Sequence, residues 1–231
     1  MRITYLFIIT FLLISCDPKA LEKILEVPLS NAEVAKALKD ALNMGVDESV
    51  DYLSSVDGYY QSPYKILLPE EARNVTDRLK IVPGFSNLEE EVVKRINRAA
   101  EDAAKKAGPI FLNAITSISF EDAMGILMGE KDAATEYLHK ATYDALYAEF
   151  KPVLINSLNT YNALDYWEKA IKQYNSIPFI SKVNPDLADH VAGKALVGLF
   201  DLIEKKELGI RTDISQRTTA LLQKVFAKQD S

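Results

Sequence analysis

The chain has 231 residues, 48% of them hydrophobic and 26% charged, with a mean hydropathy of −0.05. That composition belongs to a globular protein and excludes a disordered, collagen-like or polytopic membrane chain. A net charge of −6 and a pI of about 5.1 lack the electrostatic footprint of a nucleic-acid binder. One cysteine excludes an internal disulfide or thiolate cluster, and two histidines argue against a multi-His metal site.

In chain order, Met1-Arg2 supplies a positive charge ahead of an almost wholly apolar run over residues 3–15. As a helix this run spans roughly 20 Å, short of a bilayer core of roughly 30 Å, so it fits a secretory signal better than a spanning helix. It ends in Leu13-Ile14-Ser15-Cys16, which resembles the bacterial lipobox: a leucine three before the cysteine and a small residue immediately before it. The resemblance implies diacylglyceryl transfer to the Cys16 thiol, cleavage before Cys16 and acylation of the new amine. Residues 1–15 are then a signal peptide and residues 16–29 a lipidated tether. The expected location is the bacterial cell envelope, facing the periplasm or the outer surface. Several acyl chains, at about 0.8 kcal/mol per buried CH₂, hold such a protein to a membrane essentially permanently. The alternatives are an ordinary cleaved signal with a chance cysteine, or a buried N-terminal helix.

The remainder, residues 30–229, reads as one all-α domain of bundle-like or orthogonally packed helices. Ser30 with Glu33 has capping-box spacing, Val34, Leu38, Ala41 and Leu42 form an apolar stripe, and Gly45 is a candidate stop. Asp47 is a candidate cap for a second short helix. Asp57-Gly58 marks a turn before the aromatic loop Tyr59-Tyr60-Gln61-Ser62-Pro63-Tyr64, and Lys65-Ile66-Leu67-Leu68 is the stretch best suited to extended structure. Pro69 suits the first position of a helix over 69–80. Ser86 with Glu89 predicts a long helix to about Ala107, stopped by Gly108-Pro109, with the next running from Pro109 to Ile118. Ser119 caps another, ending near Gly129. A long helical stretch follows from Asp132 toward Tyr161, kinked or interrupted at Pro152. Helices are then expected over 165–174, from Asn184-Pro185 to about Leu208, and from a third capping box, Asp213 with Gln216, to about Ala227. No internal repeat or Gly/Ser linker divides the chain.

Several segments taken together carry a family resemblance. They include Asp57-Gly58-Tyr59-Tyr60, Lys65-Ile66-Leu67-Leu68-Pro69, Asn97-Arg98-Ala99-Ala100-Glu101, Ala133-Ala134-Thr135-Glu136-Tyr137-Leu138 and Lys194-Ala195-Leu196. Arg217-Thr218 with Leu221-Leu222 closes the series. Together, over roughly residues 28–228, they resemble a bacterial family of envelope proteins filed as domain of unknown function 4197. The resemblance implies a secreted, often lipid-anchored, mostly helical domain. It supplies no activity and no catalytic residues.

The residues that can carry chemistry are few. Asn97 and Glu101 are i,i+4 neighbours on the long helix, with Arg98 one step round. They can bind a polar ligand group or supply a general base, or they can satisfy interhelical hydrogen bonds. Asp57, Tyr59, Tyr60 and Tyr64 can line a ligand cleft or cover one end of the core. Asp122 and Glu136 are acidic residues near helix starts, where the macrodipole alone favours them. His139 and His190 have no histidine four residues away, and no G-x-S-x-G, P-loop or dinucleotide fingerprint occurs, so no metal or cofactor is expected. Lys105-Lys106 and Lys205-Lys206 read as solvated faces. Ala99, Ala100, Ala103, Ala104 and Ala107 suit either close helix packing or a groove for a partner helix or acyl chain.

Two functional readings result. The first is a non-enzymatic envelope lipoprotein, tethered to a membrane through Cys16, that binds a protein or small-molecule partner. The second is an enzyme with an unfamiliar carboxylate/Asn site around Asn97, Arg98 and Glu101. Burial of Asn97 and Glu101 behind interhelical hydrogen bonds favours the first; a solvent-connected cavity at Glu101 favours the second.

Overall fold

In the computed structural model, which describes residues 30–180 and 187–227, helices form wherever apolar residues recur at helical spacing, and the fold is all-α. Cys16, its leader and tether, and the expected helix start at Asn184-Pro185 lie outside the described residues.

The first helix, α1 (Asn31–Ser54), opens with the expected capping box: the Glu33 N–H donates to Ser30 Oγ at 3.2 Å, and the Ser30 N–H donates to Glu33 Oε2 at 2.8 Å. Gly45 does not stop it, and Asp47 starts no second helix. Continuing through a helical glycine costs about 1 kcal/mol. Burial of Val46, Ser49 and Leu53 beyond it outweighs that cost, and a Cβ at Gly45 would already be in contact with Lys206 at 3.4 Å.

Pro69 is the N-cap of α2 (Glu70–Leu79) rather than its first residue. Residues 65–69 belong to no helix or strand, and burial alternates along them, with Ile66 and Leu68 buried and Lys65 and Leu67 exposed. The long helix α3 (Leu88–Ala104) starts from Asn87, not from a Ser86 capping box; Glu89, Glu90 and Glu91 in its first turn complement the helix dipole instead. It ends before Lys105, and α4 (Ala107–Ser117) takes Gly108 and Pro109 into its first turn. Proline is tolerated there because the first N–H groups of a helix have no intrahelical partner.

Ser119 and Asp122 form the capping box of α5 (Phe120–Leu127). Helix α6 (Ala133–Thr160) runs through Pro152 without a break, and α7 (Ala163–Asn175) follows from Asn162, which adopts left-handed geometry at φ 53°. Helix α8 (Leu187–Thr212) extends past Leu208. Asp213 then caps only a short 3₁₀ turn (Ile214–Gln216), accepting the Ser215 N–H at 2.9 Å, whereas Thr219 caps the C-terminal helix α9 (Ala220–Phe226).

Helix α3 packs against α1, α2, α6, α7 and α8, and α6 lies along α8. Ala99, Ala100, Ala103, Ala104 and Ala107 are fully buried, so the small residues serve close packing and leave no groove. Among the described residues no single helix is long and apolar enough to cross a membrane.

Candidate functional site

The site is built from α3 outward. Asn97 is 0% exposed and faces Ile66, in the segment of residues 65–69. Its Oδ1 accepts the Ile66 N–H at 2.8 Å, while Nδ2 donates to the Ile66 carbonyl at 2.8 Å and to the Val93 carbonyl at 2.7 Å. The side-chain amide thus pairs with the Ile66 peptide as a neighbouring strand would. The buried N–H and C=O of Ile66 are thus satisfied by one asparagine where, among the described residues, no strand is present to pair them.

One turn along the same face, Glu101 is 4% exposed. Its Oε1 accepts the N–H groups of Tyr59 and Tyr60, each at 3.3 Å, and its Oε2 accepts Arg98 Nη1 at 2.7 Å. Arg98 Nη2 in turn donates to Asp57 Oδ1 at 2.6 Å. Asp57 sits in the left-handed region at φ 69°, which turns the chain so that the next N–H groups point at Glu101. Tyr60 receives Lys65 over its ring at 4.5 Å and the Arg98 guanidinium at 5.8 Å. The fully buried Tyr59 donates its hydroxyl to the Ala195 carbonyl on α8 at 2.8 Å, and burial pushes its phenol far above the usual tyrosine range.

Arg98 and the two groups of candidates, the Asn97–Glu101 pair and the aromatic turn, are therefore one assembly. Asn97 and Glu101 act as a latch that fixes residues 57–69 on α3, and their hydrogen-bonding groups face inward. Glu101 is thus almost wholly buried, with both carboxylate oxygens engaged by the Tyr59 and Tyr60 amides and by Arg98.

On the far side of residues 63–70 lies an open cleft of about 700 Å³, closed opposite by α8. His190, Lys194, Val197, Gly198, Asp201 and Lys205 line it; 190, 194, 197, 201 and 205 recur every three or four residues, which places them on one helix face, with Gly198 beside Val197. His190 Nε2 is 2.8 Å from the Leu67 carbonyl, which can only accept, so this nitrogen carries the proton. Lys205 donates to Asp201 at 2.6 Å and to the Tyr64 hydroxyl at 3.2 Å. Tyr64 is half-buried, and desolvation raises its phenol pKa although Lys205 opposes the shift. At Gly198 an added Cβ would come within 3.3 Å of Tyr59 and 3.4 Å of Tyr64, so the aromatic loop lies directly on the α8 backbone.

The other candidates stay apart. Asp122 is occupied by the Ser119 cap, accepting its hydroxyl at 2.6 Å, and Glu136 sits in the first turn of α6. His139 packs at a tilt against Phe200 and Tyr143, at ring distances of 4.6 and 4.9 Å, and is not among the residues lining the cleft. Among the described residues no three His, Cys, Asp or Glu side chains gather as metal ligands. Lys105 pairs with Asp102 and Lys206 with Glu48, as solvated faces do, but Lys205 lines the cleft.

Sequence reasoning missed Arg73 and Lys194 of the cleft, because an exposed cation on a helix looks the same whether it faces a cleft or open water. It also missed a second buried polar cluster. Glu207 accepts the Ala134 N–H at 2.9 Å and both the N–H and hydroxyl of Thr135 at 2.8 Å, so α8 supplies the N-terminal cap of α6. Arg211 bonds Glu207 and donates to the Ile126 and Leu127 carbonyls at the end of α5. Buried Arg217 donates to the Ile210 and Arg211 carbonyls, closing the end of α8.

The fold and the site define an all-α domain in which a buried polar latch braces one wall of an open cleft. The chain belongs to the family described as protein of unknown function (DUF4197), which it matches over residues 28–227. Neither curated proteins nor solved structures gave a match to the chain.

Proposed function

We propose that this protein is a lipid-anchored bacterial envelope protein whose helical domain is a non-enzymatic binding module, with the cleft between residues 63–70 and α8 as its ligand-facing surface. One observation carries the reading. Asn97 and Glu101, the polar groups best placed for chemistry, are spent on backbone hydrogen bonds: Asn97 holds the cleft wall at Ile66, and Glu101 holds the turn at Tyr59 and Tyr60 that leads into it. Pre-ordering a wall lowers the conformational cost of binding a ligand against it. An enzyme built on Asn97, Arg98 and Glu101 would need those groups open to substrate. The anchor rests on the lipobox resemblance at Leu13-Ile14-Ser15-Cys16.

Fractionation and native purification test this reading together. Cys16→Ser is expected to move the protein from the membrane fraction to the soluble envelope fraction. The wild-type protein, extracted from native membranes in mild detergent, is expected to retain a small molecule that Val197→Glu, a cleft substitution, releases. Unchanged membrane partitioning of Cys16→Ser overturns the anchor. Retention that ignores Val197→Glu overturns the cleft as the binding surface.

A further inference from the structure

The cleft has a charge character opposite to that of the protein. The chain as a whole carries −6, yet Lys65, Arg73, Lys194 and Lys205 all line this cleft, against Glu70 and Asp201. Asp201 is already engaged by Lys205 at 2.6 Å. Lys65, Arg73 and Lys194 have no carboxylate partner among the described residues, so their charge is not neutralised locally as that of Lys205 is by Asp201. Three cations on three different elements, the wall, α2 and α8, thus border one concave surface without a carboxylate partner among the described residues, Lys65 lying over the Tyr60 ring.

The same surface also exposes apolar groups. Leu67 is 54% and Val197 62% exposed, and both face this cleft from opposite walls. Concave sites that combine apolar walls with a few fixed charges take ligands that have both characters.

We propose that the cleft binds a small amphiphilic anion, its phosphate or carboxylate head held by Lys65, Arg73 and Lys194 and its apolar body lying between Leu67 and Val197. This inference rests on the cleft being the binding surface and names the chemistry of its ligand. The latch contributes by position: Asn97 fixes Ile66, and with it Lys65 and Leu67 on either side, so one charged and one apolar contact are held in place before the ligand arrives. His190 fixes the Leu67 carbonyl from the opposite side.

The test is calorimetric titration of the detergent-solubilised full chain with octyl phosphate, octanoate, inorganic phosphate and octanol. The Arg73→Gln/Lys194→Gln variant serves as the reference for partitioning into micelles. Octyl phosphate and octanoate are expected to bind, with inorganic phosphate and octanol weaker by roughly tenfold or more. The double variant is expected to lose roughly tenfold or more in octyl phosphate affinity, the scale of a charge-assisted contact. Both substituted side chains are exposed, so its circular dichroism and melting temperature should match the wild type. Equal affinity of the variant and wild type overturns the proposal. So does inorganic phosphate binding as tightly as octyl phosphate, which would leave the apolar walls without a role. Octanol binding more tightly than octyl phosphate, and lost in Val197→Glu, overturns the anionic head while leaving the cleft as the binding surface.

Discussion

A Cβ on Gly58 would stand 2.3 Å from the carbonyl oxygen of Tyr52 and 2.8 Å from that of Leu53. The turn that begins the aromatic loop is therefore pressed against the last turn of α1, and only a residue without a side chain fits. Gly58→Ala is expected to destabilise the fold by about 1–3 kcal/mol through overpacking against rigid backbone. Gly125, exposed inside α5 with nothing near its Cβ position, is the control: Gly125→Ala should stabilise by about 0.5–1 kcal/mol. Urea denaturation midpoints of the two variants, moving in opposite directions, check the pair.

The latch predicts a ranking of stability losses. Glu101→Gln removes the charged acceptor for Arg98 and for the Tyr59 and Tyr60 amides, at an expected cost of about 1–3 kcal/mol. Asn97→Asp is expected to cost more, because it places a buried carboxylate against the Ile66 and Val93 carbonyls and removes both donated bonds. Chemical denaturation followed by far-UV circular dichroism reads both. A Glu101→Gln variant as stable as the wild type would count against a structural role for this carboxylate.

Glu207 and Arg211 form a buried ion pair at 2.8 Å whose remaining valences serve the ends of two other helices. Removing one partner leaves the other uncompensated. Glu207→Ala is therefore expected to cost about 3–5 kcal/mol, more than loss of a solvent-facing cap such as Ser30→Ala at about 1 kcal/mol. Thermal melting resolves the two.

Acid should weaken the fold partly through Asp102. Burial would raise its carboxyl, but hydrogen bonds from Lys105 at 2.8 Å, Tyr161 at 3.0 Å and Ser157 at 3.1 Å outweigh it and hold the group below the usual carboxylate range. A carboxyl lowered in the folded state stabilises fully above its unfolded pKa of about 4, and that contribution is lost as pH falls through the folded value. Asp102→Asn is expected to flatten the decline in denaturation midpoint below about pH 4. An acid limb as steep as that of the wild type would assign the effect to other carboxylates.

Local signals in the sequence succeeded where the interaction itself is local. The Ser30–Glu33 and Ser119–Asp122 boxes form as their spacing predicts, because both partners lie within one turn. The same pattern failed at Ser86 and at Asp213. At Ser86 three consecutive glutamates let the helix start one residue later; at Asp213 the chain needed a 3₁₀ turn to bring Arg217 back onto the end of α8. Gly45 and Pro152 failed to break their helices because neighbouring turns bury enough apolar surface to offset the local cost.

Residue order by itself determined the helical class, most element positions, and the pairing of Asn97 with Glu101 on an apolar-bordering face. These follow from periodicity and from interactions spanning four residues or fewer. Only the tertiary structure decided what that pair does and where a cleft opens. Asn97 reaches Ile66 across 31 positions and Glu207 reaches Thr135 across 72, and the cleft cations come from separate elements. Such meetings depend on how helices settle against one another as they bury apolar area, and spacing along a chain does not encode that outcome.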